Sequence, residues 1–290
     1  METTELLKKV RKIEIKTRGI SNQIFSGEYH SAFKGRGMAF SEVREYQPGD
    51  DIRAIDWNVT ARFNHPYIKV FEEERELTVM LVVDVSGSES FGTQKQLKKD
   101  LITELCAVLA FSAIKNNDKI GIIFFSDKIE KFIPPKKGKS HILRIIRDLI
   151  EFKPESNKTD IQQALRYLTN VIKKKSITFL ISDFMDDNYK EALKITNKKH
   201  DLIALRIYDK RELELPNIGL VKLKDAETGK FSWIDTSSQD VRSHYTINAK
   251  KRESYLKDLF NKSGVDTANI GTHESYIQPL MNLFKKRESK

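Results

Sequence analysis

Cysteine, proline and glycine are all scarce in this chain. A single cysteine, Cys106, stands among 290 residues, so no internal disulfide can form and no Cys-based zinc site is on offer. It lies in the apolar run LCAVLAF, which points to a buried, inert thiol. Seven prolines and 13 glycines exclude the collagen-like and low-complexity classes. Long hydrophobic runs are missing too. The most apolar stretches, around Val79–Val85 and Leu105–Ile114, fall well short of the roughly 20 residues that span a bilayer. The opening stretch METTELLKKVRKIEIK scatters its charge and holds no apolar signal core, so a cytoplasmic location is expected. Histidines are few and dispersed (His30, His65, His141, His200, His244, His273), with no H-x-x-x-H pair, which leaves a zinc hydrolase without ligands.

Charge is abundant. Charged residues make up 32% of the chain against 39% apolar, with a formal net charge of +10. The excess is spread out: residues 1–75 carry +1, residues 76–241 carry +4 and residues 242–290 carry +5. That distribution reads as a lysine-rich solvated surface rather than one dedicated nucleic-acid face. Lys136-Lys137, Lys139, the Lys173–Lys175 run and Lys250-Lys251-Arg252 could contact phosphates, but interleaved aromatics of the stacking kind are not evident there. A basic-surface nucleic-acid binder is therefore the alternative, not the first reading.

From residue 77 to residue 210 strands and helices alternate. LTVMLVVDV (77–85), KIGIIFFS (119–126), SITFLIS (176–182) and DLIALRIYD (201–209) are apolar throughout, the pattern of strands covered on both faces. Between them, residues 94–115, 141–152, 161–172 and 187–196 repeat apolar side chains at helical spacing, and IEKFIP (129–134) is extended. The expected fold is α/β, a doubly wound and mostly parallel sheet occupying residues 76–290. Residues 1–75 form a small β-rich lobe, because turn residues punctuate short extended pieces such as MAFSEVREY and YIKVFE. In that lobe Arg44, Asp50 and their neighbours are expected in salt bridges and Trp57 as an anchor. Farther on, a hairpin is expected near 218–235 with Glu227-Thr228-Gly229 at its turn. A helix from Ile247 to Phe260, a strand at 265–270 and a helix at 276–284 complete the reading.

The chemistry concentrates at the carboxyl ends of these strands, where open parallel sheets bind ligands. Asp84-Val85-Ser86-Gly87-Ser88 directly follows the most apolar strand and sets a carboxylate and two hydroxyls on one tight turn. Thr159 and Asp160 open the helix IQQALRYL, and Ser182-Asp183 end the strand ITFLIS. Hard oxygens of this kind suit magnesium or manganese. Taken singly, each of these residues could be an ordinary turn or helix-cap residue; three such sites on three loops point to a divalent cation held by Asp84, Ser86, Ser88, Thr159 and Asp183.

Asp84-x-Ser86-x-Ser88 with distant Thr159 and Asp183 resembles the metal-ion-dependent adhesion site of von Willebrand factor type A domains. The upstream run GRGMAFSEVREYQPGDDIRAIDWNVTAR (35–62), with YIKVFEEERE before the first buried strand, resembles domain-of-unknown-function family 58. The resemblance implies recognition rather than turnover. Asp84 would anchor the metal, Ser86 and Ser88 would ligate it through their hydroxyls, and Thr159 and Asp183 would act directly or through water. A carboxylate from another protein would complete the coordination. It also implies a MoxR-type AAA+ ATPase as partner, with this chain as an adaptor in the assembly or maturation of another complex.

Enzymatic readings lack their residues. A haloacid-dehalogenase-like phosphatase needs a second carboxylate two positions after the first, where this chain has Ser86. A serine hydrolase elbow reads G-x-S-x-G, and here the sequence is D-V-S-G-S. No phosphate-binding G-x-x-x-x-G-K-[ST] is present. A non-enzymatic module is expected, with a magnesium-dependent hydrolase as the further alternative.

Overall fold

The computed structural model describes residues 10, 11, 13, 14, 17, 20, 38–73, 77–87, 97–224 and 229–288. The chain divides into two compact units, Phe33–Leu77 and the remainder, Met1–Ala32 with Thr78–Lys290.

The smaller unit is built on two antiparallel strands, β1 (Met38–Glu45) and β2 (Tyr67–Glu73), with an irregularity between Phe40 and Glu42. Arg44 grips Asp50 with two parallel hydrogen bonds of 2.8 Å each, the ion pairing expected of this segment. Between the strands lies a helix the sequence reading did not anticipate, α1 (Trp57–Phe63). It is two turns long, and its start is fixed by Asp56, whose carboxylate accepts from the Asn58 and Val59 N–H groups. Trp57, expected as an anchor, sits at the first position of this helix with 70% of its surface exposed.

The larger unit is a six-stranded sheet in the order β10-β7-β6-β3-β4-β5. Its members are β3 (Thr78–Asp84), β4 (Lys119–Phe125), β5 (Ile129–Lys136), β6 (Ile177–Ser182), β7 (Asp201–Tyr208) and β10 (Asp266–Gly271). All pairings are parallel except that of β5, which runs antiparallel at one edge. Every residue of β6, and every residue of β3 after Thr78, is buried, as continuous apolar runs require in a sheet covered on both sides. On one face, Met80 and Val82 of β3 pack with α4 (Ile161–Val171), α5 (Lys190–Lys199) and α7 (Gln239–Ser263) through Ile161, Leu165, Leu193, Leu256 and Phe260. The remaining helices are α2 (Lys98–Lys115), α3 (Lys139–Glu151), the single turn α6 (Lys210–Leu213) and α8 (Ile277–Glu288). Helix α2 is buried from Leu101 to Ala113 save for Glu104, as its many apolar side chains require.

A hairpin of β8 (Leu220–Lys224) and β9 (Phe231–Asp235) follows α6. Gly229 closes its return with φ +69°, while Glu227 and Thr228 lie outside the described residues. Helix α7 begins at Gln239, eight residues before the expected Ile247. Ser238 caps it by accepting from the Val241 N–H, and its first turns are polar, so no apolar stripe marks them in the sequence. Among the described residues no helix is long and apolar enough to cross a membrane.

The chain runs from β3 outward to β4 and β5, then crosses back to place β6 on the other side of β3. The reversal in strand order therefore falls between β3 and β6. A crevice opens at such a switch point, outside the carboxyl ends of the two strands.

Candidate functional site

Asp84 is the last residue of β3, and Asp183 immediately follows β6, so the two carboxylates flank the switch point. Both are buried, 1% and 3% exposed. Asp84 Oδ1 accepts from the Ser86 N–H at 3.0 Å, and its Oδ2 accepts from the Ser182 hydroxyl at 2.7 Å. The Ser86 hydroxyl also donates to this carboxylate, and Ser86 is itself buried. Despite these donors, Asp84 is pushed up to about 7, first by loss of solvent and then by the negative charge of Asp183. Among the described residues, the hydrogen-bond partners of Asp84 are thus neutral groups.

Three loops meet here through hydrogen bonds. Ser182 ties the end of β6 to Asp84. The Gly87 N–H donates to the Asn157 carbonyl at 3.1 Å, joining the turn after β3 to the loop that carries Thr159. The Ile161 N–H donates to Asp186 at 2.8 Å, joining the start of α4 to the loop after β6. Thr159 is half-buried on that shared loop. Its neighbour Asp160 is the helix cap, accepting from the Gln163 N–H at 2.8 Å. Ser88 lies outside the described residues.

The loop after β6 is itself tightly specified. Asp183 Oδ1 accepts from the Met185 N–H at 3.1 Å, and the Phe184 N–H donates to the Ser182 hydroxyl at 3.0 Å. Phe184 adopts φ +59°, a left-handed conformation that a bulky side chain rarely takes. Its ring is buried against Tyr189 and Phe260, and this packing holds the turn. Strain of this kind concentrates at functional sites.

Sequence reasoning missed Lys98. This ammonium is fully buried, 3.0 Å from Asp183 Oδ2, and pairs also with Glu212 of α6. A signal was present: position 98 continues the apolar stripe of Leu101, Ile102 and Leu105 by one helical turn, so a charge there falls on the buried face.

Among the described residues no three His, Cys, Asp or Glu side chains gather into a metal cluster. The donor set is instead two carboxylates with hydroxyls, a combination of hard oxygens that suits magnesium or manganese. Burial and the neutral hydrogen-bond partners of Asp84 fit a divalent cation on the Asp84–Ser86 side; Asp183 Oδ2 is already engaged by Lys98.

The fold has counterparts in other proteins. The aerotolerance-related membrane protein of Bacteroides fragilis superposes with a TM-score of 0.51 at 14% identity, covering 72% of this chain and 99% of that one. The SpRpn10 VWA domain superposes more loosely, with a TM-score of 0.40 over 71% of this chain and 94% of its own. The larger unit thus shares with the first of these proteins the fold alone, a mostly parallel six-stranded sheet with helices that reverses its strand order at β3 and β6. In sequence, the uncharacterized protein Rv1480 of Mycobacterium tuberculosis is 30% identical over 293 aligned positions, 99% of this chain and 91% of that protein. The family described as protein of unknown function DUF58 matches residues 42–255, and the chain belongs to it.

Proposed function

We propose that this protein is a non-enzymatic, metal-dependent interaction module. Asp84, Ser86, Ser88, Thr159 and Asp183 would hold magnesium or manganese, and a carboxylate from a partner would complete the coordination. The observation that carries this reading is the buried pair Asp84 and Asp183 at the switch point, with Asp84 pushed up to about 7 by burial and then by the charge of Asp183. A bound divalent cation would supply a compensating positive charge and leave some of its own to attract an anionic group. Met185, two residues after Asp183 and 57% exposed, offers an apolar contact beside such a group. The resemblance carried by residues 35–62 points to a MoxR-type AAA+ ATPase as the partner, with this chain as its adaptor in maturing another complex.

The test is retention of a purified MoxR-type ATPase on the immobilised full chain, in magnesium and in EDTA, for wild type and Asp84→Ala. Retention that needs magnesium and disappears in the variant supports the reading. Equal retention in all four conditions sinks it.

A further inference from the structure

Lys98 occupies a place that opposes its charge. It is the first residue of α2, where the helix dipole is positive, and its side chain is wholly removed from water, where lysine is almost never found unless paired. Two carboxylates hold it there. Asp183 lies just past β6, 85 positions along the chain, and Glu212 lies on α6 beyond β7. Neither partner is local, and one of them is half of the carboxylate pair at the switch point. The two aspartates are consequently unequal: Asp183 has an internal cation on Oδ2, whereas among the described residues Asp84 meets hydroxyl and N–H donors.

We infer that Lys98 is a built-in counter-cation that competes with a divalent metal for Asp183, and that Glu212 sets how strongly it does so by drawing the ammonium away. This rests on the metal-binding reading above and assigns regulation of that site to two residues outside the ligand set. Lys98 and Glu212 are positioning residues here; neither is a ligand. The ammonium keeps the site from taking metal tightly, so that occupancy depends on the additional carboxylate a partner brings.

The electrostatics make a prediction in sign that a structural role does not. Lys98→Gln adds one net negative charge next to the site, and Glu212→Gln removes one. In a poorly solvated crevice a unit charge at this range changes cation affinity by about tenfold or more. Titration calorimetry with Mn²⁺ at pH 8 on the full chain, with circular dichroism to verify folding, is the experiment. Wild type against Asp84→Ala comes first. If wild type takes up no Mn²⁺, or Asp84→Ala binds it equally, the metal reading fails and this inference with it. If that comparison holds, Lys98→Gln is expected to bind about tenfold tighter and Glu212→Gln severalfold weaker. Two variants that shift in the same direction, or do not shift, overturn the inference while leaving the metal reading intact. Should Lys98→Gln not fold, Glu212→Gln decides: weaker binding with an unreduced melting temperature supports the competition, and unchanged or tighter binding overturns it.

Discussion

Asp84 links protonation to folding, and the direction of that linkage can be worked out. Its carboxyl is pushed up to about 7 in the folded chain and lies near the ordinary 3.8 when unfolded. Between these values the native state binds more protons than the unfolded state, so the metal-free protein loses stability as pH rises through this window, and the loss is complete above pH 7. Replacing the carboxylate by an amide removes the liability. Asparagine keeps an oxygen for the Ser86 N–H, and the Ser182 hydroxyl can accept from the new amide. Asp84→Asn is therefore expected to stabilise the metal-free protein at pH 8 by roughly 2–4 kcal/mol and to leave it near wild type at pH 4.5. Denaturant melts at the two pH values check this; a variant that is less stable than wild type at pH 8 contradicts it. The same position shows what the residues alone disclosed. Asp84, Ser86, Thr159 and Asp183 stand out in the sequence because each lies just past a strand or at the start of a helix. For Lys98 the apolar stripe marks the buried position, but its partners lie 85 and 114 positions away, and no local pattern encodes them.

Strands and helices differ in how much of themselves they reveal. The buried strands β3, β4, β6 and β7 stood out as unbroken apolar runs, since both their faces are covered. Helix α1 stayed hidden: seven residues set off by one capping carboxylate leave no room for a helical repeat. The first two turns of α7 are legible only through the Ser238 cap. A different kind of constraint sits in β4. Gly121 faces the antiparallel edge strand so closely that a Cβ would lie 2.8 Å from the Pro135 nitrogen, 2.9 Å from the Ile133 carbonyl oxygen and 2.9 Å from Met80 Sδ. Met80 could yield, but the two β5 backbone atoms cannot move without parting the strands. Gly121→Ala is expected to cost about 2–3 kcal/mol, read from denaturant unfolding, while the Mn²⁺ binding proposed for the switch point is retained. A neutral substitution would show that β5 is not held to the register seen here.

Across the whole molecule two buried groups tilt stability in opposite directions with pH. His200 is held down to about 4 by burial and then by the charge of Lys199, its Nδ1 3.0 Å from the Ser176 hydroxyl. Its folded value lies below the ordinary 6.5, so the unfolded state binds more protons between about pH 4 and pH 6.5 and stability falls as pH drops through that range. Asp84 does the reverse over much of the same interval. In the metal-free protein the two slopes offset, and a nearly level melting temperature is expected between pH 5 and pH 7. Under the proposed function, a divalent cation on the Asp84 side would displace the proton and stabilise the native state by mass action. The Mn²⁺-induced rise in melting temperature is then expected to be small at pH 5.5, where the metal must expel a proton, and to grow until about pH 7.5. In Asp84→Asn that rise should vanish while the His200 slope on the acid side persists. Thermal melts from pH 5 to pH 8, with and without Mn²⁺, separate the two contributions. A metal-induced rise that is the same at every pH would mean that the cation does not replace the Asp84 proton, and the site would have to be sought elsewhere on the molecule.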